Sequence, residues 1–225
     1  MELENMEDKL SVSKIKTNFI KRLLSAFVIM PLMILPIFLS GYILISFYLL
    51  FLTFIVNELF HIIKNSSYKI CLYLYFLITV FSFITFILLL ISSHVKELFI
   101  LIISIIWIFD TFSYLGGTII KGKKLFPKVS KGKTYSGLFT GLLAITVIYF
   151  LATYYFNLIY LISYSSVITI IVLAFVGDII VSLLKRSASM KDASNAIPGH
   201  GGFLDRFDSF IFVFFSVGIF YLLLI

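Results

Sequence analysis

The chain has 225 residues, of which 61% are hydrophobic and 13% are charged, and its formal net charge is +7. An ordinary soluble domain is only about 45–50% apolar, so the composition excludes that class. It predicts an all-α, polytopic membrane protein, because lipid offers no hydrogen-bond partner to an open sheet edge. The positive charge lies between the apolar runs, where it orients a membrane protein, and this placement argues against a nucleic-acid partner.

Seven apolar runs are long enough to cross a bilayer as a helix, which takes about 20 residues. Only Ser40-Gly41 separates the first two runs, so these form either a tight helical hairpin or one bent element. Six or eight spans are therefore also compatible with the sequence. The predicted spans are 23–39, 41–56, 70–91, 98–115, 137–155, 163–182 and 209–225.

The lysines and arginines predict the orientation of the chain. With a cytoplasmic N-terminus, the inside segments are 1–22, 57–69, 116–136 and 183–208, and these hold 17 of the 18 basic residues. An excess of positive charge on the cytoplasmic side is the usual bias of membrane proteins. We therefore expect a cytoplasmic tail over 1–22, a membrane-embedded domain over 23–225, and two cytoplasmic loops, 116–136 and 183–208, that carry the chemistry.

Aspartates are the only acids after Glu97, and in this topology all five lie on or just inside the cytoplasmic face. Asp110 and Asp178 fall near the ends of the fourth and sixth spans. An ionisable group at membrane depth costs a few kcal/mol, so each is either a functional residue or half of a structural ion pair. Asp205 and Asp208, three residues apart, can share a metal ion or cap the last helix.

Basic residues and glycines surround these carboxylates in the stretch 177–209. Cationic side chains neutralise phosphate, and glycines let backbone N–H groups approach an anion closely. Mg²⁺ takes carboxylate oxygens and completes its shell with water and phosphate oxygens. The stretch therefore predicts a site for a phosphate anion carried by a divalent metal ion. Its four cationic residues are Lys185, Arg186, Lys191 and Arg206.

The same stretch resembles a known signature. It runs Ser182-x2-Lys185-Arg186-x4-Lys191-Asp192-x5-Pro198-Gly199-His200-Gly201-Gly202-x2-Asp205-Arg206-x-Asp208. This string closely resembles the signature of the phosphatidate cytidylyltransferases, also called CDP-diacylglycerol synthases. The segment 110–137 resembles the second block of that family, a basic loop that ends in Ser-Pro-Lys-Lys-Thr-Trp-Glu-Gly. Its matching residues are Asp110, Ser113, Tyr114, Pro127, Ser130, Lys133, Thr134 and Gly137, and its departures are Lys131, Gly132, Tyr135 and Ser136.

The resemblance implies an integral membrane enzyme that transfers CMP from CTP to phosphatidic acid and forms CDP-diacylglycerol and pyrophosphate. It also implies Mg²⁺ as the cofactor, and the family pairs Mg²⁺ with K⁺, although the sequence shows no separate ligands for a second ion. The lipid bilayer of a bacterial inner membrane is the implied location. Members of the family often form homodimers.

Residue roles follow from the same resemblance. The implied catalytic residues are Asp178, Lys185, Arg186, Asp205 and Arg206. The implied substrate-binding residues are Asp110, Ser130, Lys133, Thr134, Ser182, Lys191, Asp192, Gly199, His200, Gly201 and Gly202. The implied metal ligands are Asp178, Asp205 and Asp208.

Other interpretations compete with this one. A related CTP-dependent enzyme could act on another lipid, as a polyprenol kinase or an ether-lipid cytidylyltransferase does, but the full string favours phosphatidate. A transporter would also carry intramembrane aspartates, yet no ionisable residue lies at the midpoint of a span, where a transport pathway would need one. Gly132-Lys133-Thr134 is not a P-loop, because Pro127 stands where that motif needs its first glycine.

Overall fold

The computed structural model describes residues 31, 33–39, 41–91, 95–156, 162–194, 196 and 201–224. Within these ranges six helices are long and apolar enough to cross a membrane, which confirms the prediction of an all-α, multi-pass membrane protein. The helices are α1 (Gly41–Asn65), α2 (Lys69–Ile91), α3 (Lys96–Ile119), α4 (Tyr135–Phe156), α5 (Tyr164–Ser187) and α6 (Leu204–Leu224). They match the second to seventh predicted spans.

The first predicted span, 23–39, lies mostly outside the described residues. Its described end contains a short 3₁₀ helix, Leu35–Phe38, with Pro36 in the first turn. The buried hydroxyl of Tyr48 on α1 donates a hydrogen bond to the carbonyl oxygen of Met33 at 2.5 Å. This contact holds the segment before Ser40 against α1.

Several helices extend beyond the apolar runs that predicted them. Helix α5 ends at Ser187 rather than at 182, and α6 begins at Leu204 rather than at 209. Helical backbone hydrogen bonds continue through polar residues, because the ladder depends on the peptide groups and not on the side chains. The added turns carry Lys185 on α5 and Asp205 on α6, so these residues stand on helices rather than on the predicted loop.

The basic segment between α3 and α4 contains a β-hairpin, which the sequence analysis did not predict. Strand β1 (Lys124–Phe126) pairs antiparallel with β2 (Ser130–Thr134), and Lys124 lies opposite Thr134. The chain leaves α3 through Lys121 and Gly122, both of which have positive φ, and the φ of 143° at Gly122 favours glycine. The hairpin therefore has a defined position at the end of α3.

Glycines bring α3 and α4 into close contact. A Cβ added at Gly137 would lie 2.5 Å from the carbonyl oxygen of Ser113, and one added at Gly141 would lie 2.1 Å from the Ser113 hydroxyl. Small residues four apart allow membrane helices to approach closely in this way. The hairpin therefore connects two tightly packed helices.

Helix α6 is central to the packing. The rings of Phe207 and Phe51 on α1 lie 5.3 Å apart, and Phe214 stacks on Phe86 of α2 at 4.2 Å. On its other side α6 lies against α5, where a Cβ at Gly177 would be 2.7 Å from the carbonyl oxygen of Asp208. The first turns of α6 are therefore set by contacts with three helices.

Candidate active site

A cavity of about 1040 Å³ lies between the hairpin and the polar ends of α3, α5 and α6. It brings together side chains from both sequence blocks that the resemblance singled out. The predicted site residues that line it are Asp110, Ser130, Lys133, Thr134, Asp178, Ser182, Lys185, Arg186, Lys191, Asp192, Asp205, Arg206 and Asp208.

Four predicted residues are not among those that line the cavity. Gly199 and His200 lie outside the described residues. Gly201 and Gly202 come just before α6, where an added Cβ would meet the carboxylates of Asp205 and Glu58, respectively, at 2.5 Å. The two described glycines therefore make room for carboxylates that approach the backbone.

An ion pair joins the hairpin to α5. Lys133 Nζ on β2 lies 2.7 Å from Asp178 Oδ2, and Asp178 Oδ1 accepts a hydrogen bond from the Ser182 hydroxyl at 3.3 Å. The same ammonium group lies 4.3 Å from the centroid of the Phe175 ring, within range of a cation–π interaction. Asp178 therefore forms an ion pair with Lys133 of the segment 110–137, which a structural role predicts, and it also lines the cavity.

Asp205 makes contacts with both of its carboxylate oxygens. Oδ1 pairs with Lys185 Nζ of α5, and Oδ2 accepts backbone N–H groups from Ala193 at 2.8 Å and Gly202 at 2.9 Å. Both side chains of the ion pair are less than one-tenth exposed. Asp205 therefore links α5, the connection after it, and the start of α6.

Arg186 has structural contacts as well as a place in the cavity wall. Its Nε donates to the carbonyl oxygen of Val129 at 3.0 Å, and Nη1 donates to that of Met190 at 2.9 Å. The guanidinium group therefore ties the turn of the hairpin to the connection between α5 and α6. Sequence reasoning assigned it only to phosphate.

Thr134 has a structural contact of the same kind. Its hydroxyl accepts a hydrogen bond from the backbone N–H of Gly137 at 3.1 Å, which caps the N-terminus of α4. Ser136, which the sequence analysis left out of the site, donates to the carbonyl oxygen of Lys121 at 2.5 Å. Both side chains help to close the hairpin onto its two helices.

The carboxylates suit a hard cation that shares its shell with phosphate. Asp178, Asp205 and Asp208 line the same cavity, and Asp208 is buried. Across the described part of the chain, no three His, Cys, Asp or Glu side chains form a metal-binding group by themselves. Mg²⁺ is usually held by one or two carboxylates together with substrate phosphates and water, and the donor set in the cavity fits that arrangement.

Glu58 belongs to the surroundings of the site, and sequence reasoning missed it. It lies on α1, is buried, and accepts hydrogen bonds from the Ser194 hydroxyl and from the backbone N–H groups of Phe203 and Leu204. The only signal in the sequence was a single acidic residue within the otherwise largely apolar run 41–63. Its partners are mostly backbone groups, which leave no motif in the sequence.

Comparisons with known proteins find similarity along most of the chain. A family model described as "Cytidylyltransferase family" matches residues 7–224. A protein of Rickettsia felis named "Phosphatidate cytidylyltransferase" is 35% identical over 216 residues, which cover 89% of this chain and 91% of the relative. A protein of Rickettsia bellii with the same name is 33% identical over 222 residues and 94% of each chain. One of Staphylococcus epidermidis, also so named, is 38% identical over 111 residues, which cover 48% of this chain and 43% of the relative.

Proposed function

The chain belongs to the cytidylyltransferase family, and from this premise we propose that it transfers CMP from CTP to phosphatidic acid, forming CDP-diacylglycerol and pyrophosphate. The observation that carries the proposal is the cavity, which collects acidic and basic side chains from both sequence blocks beside the ends of apolar helices. Such a place suits a reaction between a water-soluble triphosphate and a lipid phosphate. The same relatives favour phosphatidate over another lipid acceptor and over transport.

The proposed reaction is an in-line substitution at phosphorus. An oxygen of the phosphatidate phosphate forms a bond to the α-phosphorus of CTP, the bond from that phosphorus to the oxygen bridging to the β-phosphate breaks, and pyrophosphate leaves with that electron pair. The attacking oxygen is already anionic, so no base has to remove a proton from it. Positioning and charge stabilisation then supply most of the rate enhancement.

Cationic side chains supply the charge stabilisation in this proposal. Lys185 and Arg206 stand on facing helices at the cavity, and Lys133 enters it from the hairpin. Each can neutralise phosphate oxygens, and arginine can do so with a bidentate fork. Because Arg186 is bonded to two carbonyl oxygens, we propose that it positions the hairpin against the connection after α5 in addition to facing phosphate.

We propose that Asp178 and Asp205, with Asp208 beside them, hold Mg²⁺ when the substrates are bound. The ion would screen the anionic reactants and stabilise the leaving pyrophosphate. Asp205 uses Oδ2 for two backbone N–H groups, so its other oxygen, Oδ1, which pairs with Lys185, is the atom available for this role.

The location of the cavity suits the two proposed substrates. We propose that the N-terminus and the cavity face the cytoplasm of a bacterial inner membrane, in line with the 17 basic residues of the inside segments. Phosphatidate would then arrive from the cytoplasmic leaflet and CTP from the cytosol. Helices α3, α5 and α6 deliver residues to the cavity from within the membrane-spanning bundle.

The test uses membranes that contain the protein, supplied with Mg²⁺, phosphatidate and CTP labelled with ³²P at the α-phosphate. We expect label in the extracted lipid, and we expect EDTA to remove it. CTP labelled at the γ-phosphate is the matched control and should label no lipid. Lipid label from the γ-position alone would show a kinase, and label from neither position would contradict phosphatidate as the acceptor.

A further inference from the structure

We infer that Glu58 is a positioning residue for the cavity: it joins Ser194 to Phe203 and sets the start of α6. The inference deepens the proposed function and rests on it, because the residues so positioned include Asp205 and Arg206. Glu58 lies on α1, which supplies no lining residue to the cavity, so it acts through the backbone it binds and not by touching substrate.

Two carboxylates each link residues near position 193 to residues just before α6, and the two linked pairs are offset by one residue. Asp205 Oδ2 accepts N–H groups from Ala193 and Gly202. One residue further along, Glu58 Oε1 accepts the Ser194 hydroxyl at 2.5 Å and the Phe203 N–H at 3.0 Å. The two bridges therefore hold residues 193–194 next to residues 202–203.

Glu58 also binds the first backbone groups of α6. The N–H groups at the start of a helix have no partner within the helix, and Glu58 accepts two of them, from Phe203 at 3.0 Å and from Leu204 at 2.7 Å. A negative charge at this end is also favoured by the helix dipole. Its described partners are therefore a helix end and a hydroxyl rather than a lysine or arginine.

The apolar face of α1 supports this contact. Phe54, one turn before Glu58, stacks on the Phe203 ring with a centroid separation of 4.8 Å, and Phe51 lies 5.7 Å from the same ring. Residues 51, 54 and 58 share one side of the helix, because they are spaced by three and four. One face of α1 thus places two rings against Phe203, just before α6, and a carboxylate against the N–H groups of Phe203 and Leu204.

Gly202 shows how closely the carboxylate approaches. A Cβ at this position would lie 2.5 Å from Glu58 Oε2 and 2.6 Å from Oε1. The backbone of Gly202 does not have a positive φ, unlike that of Gly201 at 83°. The need for glycine at 202 therefore comes from Glu58 itself, which gives a test of the contact.

The first experiment compares Glu58→Gln and Glu58→Ala with Glu97→Gln, a change at an exposed glutamate in the first turn of α3. We expect kcat of the Glu58 variants to fall about 10- to 100-fold, the range seen when a residue that hydrogen-bonds to and orients a metal ligand is changed. The KM for CTP should change by less than about threefold, because Glu58 does not line the cavity. Glu97→Gln should match the wild type.

Hydrogen–deuterium exchange provides the readout that is independent of activity. In both Glu58 variants, exchange should rise in peptides that contain the N–H groups of Phe203 and Leu204, with little change in α2 and α4. A uniform rise in all helices would show a general stabilising role and overturn the inference, as would unchanged exchange. If wild-type membranes make no labelled lipid, the proposed function fails, while the exchange data still decide the role of Glu58.

The second experiment is a double-mutant cycle. We expect Gly202→Ala to lower activity strongly in the wild type, because its Cβ collides with the Glu58 carboxylate. In the Glu58→Ala background, where that carboxylate is absent, adding Gly202→Ala should lower activity by less than about twofold. An equal further loss in both backgrounds would contradict the contact.

Discussion

The two regions that wall the cavity are built in different ways. In the first, α3, the hairpin and α4, the backbone sets the geometry through paired strands and glycine contacts such as that of Gly137 with Ser113. In the second, α5, its connection and α6, carboxylates set the geometry, because Asp205 and Glu58 bind backbone N–H groups across the connection. From the first region, Lys133 reaches the cavity and pairs with Asp178 of α5.

This difference affects how many of the aspartates are free to bind a metal ion. A count of aspartates in the second region suggests many metal ligands, but part of their binding capacity is used to hold the chain. Asp205 is the clearest case, since one oxygen is occupied by two N–H groups while the other faces Lys185. Substitutions in the second region should therefore change both activity and local structure. In the first region, a substitution should change either activity or stability, with little effect on the other.

The largest effect is expected for Asp205→Asn. The amide loses the charge that pairs with Lys185 and that Mg²⁺ would require, so we expect turnover to fall about 1000-fold while the protein still inserts into membranes. The matched variant is Asp192→Asn, an exposed aspartate at the cavity, with an expected loss of about tenfold. Lipid labelling with α-labelled CTP measures both. Unchanged turnover in Asp205→Asn would falsify its metal role.

A smaller loss is expected for Lys133→Met in the first region. The change removes the partner of Asp178 and one cationic group of the cavity, and we expect activity to fall about 100-fold with the hairpin still folded. Lys124→Met on the neighbouring strand is the control, because Lys124 is exposed and does not line the cavity. Equal activities of the two variants would show that the ion pair is dispensable.

The smallest effect on chemistry, and the clearest on stability, is expected for Gly137→Ala. Its Cβ would lie 2.5 Å from a backbone carbonyl oxygen of α3, so the two helices must separate, at a cost of about 2 kcal/mol. Gly41→Ala is the control, since no atom lies within 4 Å of an added Cβ there. Thermal unfolding in detergent compares them, and the same unfolding midpoint in both variants would contradict the tight α3–α4 contact.

Much of the fold could be predicted because a bilayer demands long apolar helices, and α1 to α6 each contain such a run. The helix ends could not be predicted, because a helix continues through polar turns, such as the one with Lys185, after its apolar run has ended. The hairpin also escaped prediction. Its strands have three and five residues, and the run Ser130–Thr134 is too basic to show the alternation of a half-buried strand.

The residues of the site were easier to predict than their contacts. The motif predicted Asp178, Lys185 and Asp205 for one site, and the structure places all three at the same cavity. It could not show that Arg186 binds two carbonyl oxygens or that Glu58 binds two N–H groups, because any residue type supplies those backbone partners. Contacts of this kind depend on how distant helices pack, which the local pattern does not encode.

The cavity wall contains six lysine or arginine side chains and five aspartates, a formal excess of one positive charge. A nearly neutral wall produces only a weak electric field in the surrounding water, and that field is screened within about 8 Å at physiological ionic strength. The net charge of the wall would therefore contribute less to triphosphate binding than contacts with individual side chains do. A phosphate group that binds Lys133 or Lys185 would have to compete with Asp178 or Asp205 for that ammonium group.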